Sequence, residues 1–411
     1  MKTTKKYSIP LLAGLFCLSG AAVANAGVDV KCPTDTNGNA ISTDPAVQCM
    51  HLSAGDGYAT MADGSIKYIF GFADLTGLPT ASQAEKDQAV AKGVLSQNWP
   101  APTIVLDENT EFYLSLTNVG MMIRPDLFDP HTVHFHGYPE SSTVFDGLPE
   151  SGIAINMGST LTYYYKLNDP GTYMYHCHVE ATEHMQMGML GSLYVKPAQN
   201  GTSISYNGRT YTQFAYNDVD GSTGYDVEYP IQLGSFDGAF HDSSETVQPL
   251  PFALMRDNYP MINGRGYPDT ADGRTNTFPP TDGSSANPTN NPDNPRLQTS
   301  QPVSSLIQAA PNQRILLRIS NLAITRYYTL QSSGIKMEVV GRDAKLLRAP
   351  NGADLYYKTN SVTLGGGESV DVILDTAGVA PGTYVLYTSN LNYLNNDQEE
   401  YGGMMTEIVI N

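Results

Sequence analysis

From Asn109 to Asn118 the chain reads NTEFYLSLTN, apolar and polar residues alternating at the two-residue period of a half-buried strand. Far along the chain, Asn312 to Asn321 reads NQRILLRISN and alternates in the same way. Two further pairs keep the order. PGTYMYHCH from Pro170 is matched by PGTYVLYTS from Pro381, and GMLGSLYV from Gly188 by GMMTEIVI from Gly403. Three matched segments in one order mean two copies of one β domain. Short alternating strands between Gly and Pro turns predict an antiparallel sandwich or Greek-key barrel for each copy.

The repeat sets the expected boundaries. The first domain spans 66–197 and the second 226–411, with a polar linker at 198–225 and an N-terminal extension at 27–65. Between Tyr267 and Val303 seven prolines stand among Asn, Asp, Ser and Thr, which predicts a long surface loop inside the second domain. Composition supports the all-β reading: 38 Gly, 26 Pro, only 16% charged residues, and 26 Tyr against 12 Phe. A helical bundle is excluded.

Residues 1–26 have the form of a signal peptide. Lys2, Lys5 and Lys6 precede a largely apolar stretch from Leu11 to Val23, and Ala24-Asn25-Ala26 fits the small-residue cleavage pattern. That stretch is too short for a permanent membrane span. The expected location is therefore periplasmic or secreted, with no membrane span. The net charge of −18 disfavours nucleic acid and favours cationic partners, metal ions included. Cys17 leaves with the leader, and an oxidising compartment favours pairing Cys32 with Cys49. Cys177 is left odd, and an odd thiol in an exported protein needs a reason.

Six of the eight histidines fall between residues 131 and 184, in HTVHFHG and HCHVEATEH. In an extended YHCH, His176 and His178 point to one face and Cys177 to the other. His134 and His136 likewise share a face, whereas His131 has opposite parity. Two metal environments thus lie back to back. On one side Cys177, His131, His184 and a methionine supply one thiolate, two imidazoles and a weak thioether, the donor set of a blue, type 1 copper site. Met185, Met187 and Met189 compete for the thioether place. Met189 is favoured because its Gly-Met recurs as Gly403-Met404. On the other side His134, His136, His176 and His178 converge, a set that suits copper, with zinc the competitor. His51 and His241 read as surface or turn residues, and Tyr163, Tyr164 and Tyr165 as strand and core aromatics.

HTVHFHG followed by HCHVEATEHMQMGM resembles the copper-binding cupredoxin domain of multicopper oxidases, whose pattern is HxxHxHG and then HCH…H…GM. The resemblance implies two tandem cupredoxin-like domains. It puts type 1 copper at His131, Cys177, His184 and Met189, type 2 copper at His134, and the type 3 pair at His136, His176 and His178. The second half is similar to the copper-free middle domain of three-domain laccases. Two departures stand out. Cys177 and His184 lie seven apart rather than five. A complete trinuclear cluster takes eight histidines from two domains, whereas Tyr387, Thr388 and Ser389 stand where His176, Cys177 and His178 stand in the first repeat.

The expected function is a copper-dependent oxidoreductase. Electrons from a metal ion or small organic reductant would enter at the exposed edge of His184. They would cross Cys177 to His176 and His178, with dioxygen as acceptor. The missing ligands would come from another chain or from an unrecognised segment, and the former implies a homo-oligomer. Glu180 and Glu183 are candidates to attract a cationic substrate, against their reading as solvated loop acids. The alternative is a one-copper electron carrier serving a redox partner protein. A nitrite-reductase-like trimer ranks lower, because His134 stands where those enzymes place an aspartate and Ser389 where a neighbour supplies a histidine.

Overall fold

The computed structural model describes residues 27–411 except 62, 64, 247–248, 272–302, 398–399 and 401. The leader expected at 1–26 and most of the proline-rich loop lie outside the described residues. Strands β1 (Val47–Thr60), β2 (Ile66–Asp74), β4 (Glu111–Gly120) and β6 (Thr160–Lys166) form one sheet of the first half in the order β2-β1-β4-β6. Strands β3 (Ala101–Asp107), β5 (His134–His136), β7 (Gly171–His176) and β8 (Leu190–Lys196) form the second, in the order β3-β8-β7-β5. Leu52, Phe70, Phe112, Phe135, Tyr163, Tyr165 and Leu193 fill the space between them. Each such side chain, fully withdrawn from water, contributes roughly 1.5–3 kcal/mol.

The sheets are mixed rather than antiparallel. β1 runs parallel to β4, and β3 runs parallel to β8. The cause is the route of the chain, which crosses through β2, α1 (Gln83–Gly93) and β3 before returning to the first sheet. β1 also lies within 27–65, so much of the expected extension belongs to the first sheet. Cys32 and Cys49 form a disulfide that ties the preceding segment to β1.

The second half repeats this plan. Val227–Phe236 runs parallel to Arg314–Asn321 as β1 does to β4, and Ile307–Ala309 runs parallel to Met405–Ile410 as β3 does to β8. A buried asparagine does the same task in each copy. Asn118 accepts from Gly120 N–H and donates to the carbonyls of Asp129 and Ile155; Asn321 accepts from Ala323 N–H and donates to that of Leu364. All-β architecture with two tandem cupredoxin-like domains is thus present.

The halves are locked together through β7. Thr172 donates to Asp371 at 2.5 Å and accepts from Arg318, which holds Glu228 at 2.9 Å. Trp99 is buried against Phe236 of the second half, ring centroids 4.5 Å apart.

Candidate metal centres

Cys177 follows the last residue of β7 and is fully buried, while His176 before it turns the other way, as strand parity predicts. The Cys177 N–H donates to the Met189 carbonyl at 3.1 Å. Its sulfur lies 3.3 Å from His184 Nδ1 and 3.9 Å from His131 Nδ1, and accepts the Thr132 N–H at 3.4 Å. His131 is fixed by paired backbone bonds to Ile155. Met187 and Met189 are both fully buried in the same core cluster, and Met185 packs against a neighbouring one. Of the three, Met189 is bonded through its backbone to both Cys177 and His184.

His184 is carried by α2 (Ala181–Met187). Two residues more than the usual ligand spacing are absorbed here as a helical turn. Glu180 enters it in the left-handed region at φ 43° and Gly188 leaves it at φ 120°. A Cβ on Gly188 would stand 2.7 Å from Trp99 and 2.8 Å from the Phe70 carbonyl, so only glycine fits. The turn buries His184 completely, against the expectation of an exposed edge. Its ring meets Phe70 edge-on at 5.6 Å, and its Nε2 lies 3.7 Å from the Asp129 carboxylate, one-fifth of which reaches solvent. Asp129 was not singled out from the sequence, although it stands two residues before His131. Glu183 is buried rather than solvated, and burial pushes its carboxyl up to about 7. Glu180 is exposed.

The electrostatics fit a cation between these groups. Burial alone would depress His184, but the Cys177 sulfur and the Asp129 carboxylate outweigh it and push the imidazole up to about 10. His131 falls well below its ordinary value through burial, the charge of His184 adding to the effect. Its Nε2 is buried without a hydrogen-bond partner. One sulfur and two inward-facing nitrogens, closed to water, match a soft thiolate–imidazole site for copper.

The opposite face gathers the other four histidines. β5 pairs with β7 so that His134 lies across from His176. His134 Nδ1 donates to the Asp146 carbonyl at 2.6 Å, and His176 Nδ1 to that of Cys177 at 2.9 Å. A carbonyl only accepts, so both rings turn a lone pair inward at Nε2. His136 Nδ1 lies 3.3 Å from His176 Nε2. His134, His136 and His176 bring their ligand atoms within 4.8 Å of one another; His178 stands beside them, its ring 5.3 Å from His134. Burial lowers His176 to about 3 and also lowers His136, which keeps both in the neutral, ligating form. Between them Phe135 points into the core and stacks on Tyr165 at 4.1 Å.

These histidines open on a cavity of about 470 Å³ whose far wall is the second domain, through Leu322–Tyr327 and Gly366-Gly367. His51 and His241 are not surface residues. His51 donates to or accepts from Thr117 at 2.8 Å inside the first sheet. His241, on α3 (Gly238–Ser244), has both nitrogens on carbonyls, Tyr68 at 2.6 Å and Gln186 at 2.9 Å.

A β-sandwich pair with a buried cysteine between two histidine sets defines a cupredoxin-type architecture. Two multicopper oxidase family descriptions match it, over residues 80–200 and 250–410. The chain is 30% identical over 120 residues to multicopper oxidase MCE of Talaromyces pinophilus, covering 28% of this chain and 17% of that protein. It is 27% identical over 281 residues to multicopper oxidase MmcO of Mycobacterium tuberculosis, covering 68% and 47%. The matched region thus spans less than half of either relative. Among solved structures, the blue copper oxidase from Nitrosomonas europaea superposes with a TM-score of 0.60 at 20% identity, over 88% of this chain and 85% of that one. A copper nitrite reductase from Nitrosomonas europaea gives 0.55 at 15% identity, over 89% and 93%. These two likenesses concern the fold. The chain belongs to the multicopper oxidase superfamily, whose members use copper.

Proposed function

We propose that the protein is an exported copper-dependent oxidoreductase that accepts electrons at a type 1 site formed by His131, Cys177, His184 and Met189. The observation that carries this reading is the Cys177 sulfur, fully buried, with the Nδ1 atoms of His184 and His131 turned toward it at 3.3 and 3.9 Å. Bound copper supplies reversible one-electron chemistry there, which zinc would not. The protein's own part is to orient and to exclude. Thr132 N–H restrains the sulfur, Phe70 and the core cluster shut out water, and Asp129 offers a carboxylate at the His184 edge. That carboxylate marks the entry for a metal ion or small organic reductant. Cys177 is joined by one peptide bond on each side to His176 and His178, the shortest covalent path between the two faces. Dioxygen is the acceptor in this reading, and a redox partner protein and a homo-oligomer are compatible with it.

A second reading, electron transfer without dioxygen reduction, is favoured by the second-domain wall of the cavity, which among the described residues carries no histidine, cysteine or carboxylate. Copper-loaded protein separates the two. A visible thiolate band with oxygen uptake driven by ferrous ion or a phenol supports the oxidase. A band that bleaches with reductant while oxygen stays constant supports the carrier. Absence of any thiolate band after copper loading refutes both. Asp129→Asn tests the entry point: KM for ferrous ion rises about tenfold while the band persists.

A further inference from the structure

The family's three-copper cluster does not fit the histidine face of this protein. We propose instead that this face takes a single metal ion, held by His134, His136 and His176, and that the cavity before it admits a small inorganic anion against Arg326. The inference rests on reading these histidines as metal ligands, and it fixes their capacity and what else enters.

The first argument is supply. At the register positions that hold His134 and His176 in the first repeat, the second repeat has Gln331 facing Tyr387. The remaining histidines are committed elsewhere: His131 and His184 to the sulfur, His51 to Thr117, His241 to two carbonyls. Cys32 and Cys49 are joined to each other. Among the described residues a second copy of this sequence therefore has no imidazole or thiolate to add beyond its own copy of this same face, His178 included. The wall is also close: a Cβ on Gly367 would stand 2.7 Å from His136 Nε2, so second-domain backbone packs directly on that ring.

The second argument is geometry. His134 and His176 are each tethered through Nδ1–H to a backbone carbonyl, which aims Nε2 inward, and three ligand atoms fall within 4.8 Å of one another. Such a cluster matches one ion of tetrahedral or tetragonal preference with an open position. His178 flanks it from outside that group.

The third argument is charge. Among the described residues, no carboxylate lines the cavity. Asp146 lies behind His134, 3.3 Å from its Nδ1, and Asp343 acts on His136 from outside the lining. A divalent ion on three imidazoles would share the cavity with Arg326, a lining residue whose Nε is buried without a hydrogen-bond partner. Asp257, which lines the next cavity with Arg326, offsets part of that cation from the far side. With a divalent ion bound and Arg326 in the lining, the cavity would carry net positive charge, which selects a small anion over a neutral or cationic guest.

The experiment uses the full chain carrying Cys177→Ser, which removes the thiolate site, loaded with Cu(II) and desalted. Elemental analysis is expected to give one copper per chain, with a nitrogen-split EPR signal and no thiolate band. Three coppers per chain overturn the inference and leave the histidine-ligand reading intact; no retained copper refutes that reading itself. Azide is then titrated and followed by its charge-transfer absorption. Saturable binding that weakens about tenfold in Arg326→Met and recovers in Arg326→Lys is the expected result. Binding equal in all three proteins, or absent in the parent, overturns the anion site. Unfolding curves of each variant separate loss of the guanidinium from loss of the fold.

Discussion

At the end of β7 the Cys177 N–H donates to the Met189 carbonyl at 3.1 Å; in the second repeat Thr388 donates to Met404 at 3.0 Å. All four side chains are buried or nearly so. His176 and Tyr387 hold the same register across from Leu190 and Met405. The scaffold is therefore the same with and without donor atoms. The donor atoms of the first half sit on hydrogen bonds that the second half keeps for packing alone.

The sharpest way to break this comparison is to exchange the two residues. Cys177→Ser should abolish the visible thiolate band entirely and leave the urea unfolding midpoint of metal-free protein nearly unchanged. Thr388→Cys should create no band, because Tyr328, where His131 stands in the first repeat, brings no nitrogen donor. A band in the second variant would show that the scaffold alone makes the site.

Acid should separate the halves next. His51 is buried, its Nδ1 without a hydrogen-bond partner, and burial lowers its pKa to about 4. The unfolded chain takes up a proton near pH 6.5, so the stability from keeping His51 neutral is complete above that pH. It is lost as pH falls from about 6.5 to 4, up to about 3 kcal/mol. Pro230 occupies the matching strand position of the second repeat. His51→Gln should flatten the decline in urea unfolding measured between pH 7 and 4, and an unchanged slope would contradict the assignment.

The smallest effect distinguishes the two asparagines. Asn118→Ala and Asn321→Ala should each cost about 2 kcal/mol, since each strands buried backbone groups. Only Asn118→Ala should also shift the EPR of the thiolate site, because the Ile155 carbonyl it holds also receives the His131 N–H.

Much of this was legible in the sequence, and the reason is periodicity. Alternation gave the strands, and the parity of HTVHFHG and YHCH separated the two histidine faces that the structure shows on either side of Phe135 and Cys177. What escaped depends on contacts with no local signature. The burial of His184 follows from a helical turn set by Glu180 and Gly188 at positive φ. The parallel pairing of β1 with β4 follows from the path of the intervening chain. The wall of the histidine cavity comes from residues far along the sequence, and neither Arg326 nor Gly367 carries a motif that announces it. His51 and His241 were misplaced because a lone histidine has no partner in sequence, whereas each finds one across a sheet or a domain boundary.

His241 also acts as a mechanical link. It sits on the second domain, yet its two nitrogens rest on β2 and on α2, two residues beyond His184. A tilt of one domain against the other must pull on α2 through that ring, and α2 carries a nitrogen that faces the sulfur. With copper bound as proposed, the absorption of the thiolate site would double as a gauge of domain alignment.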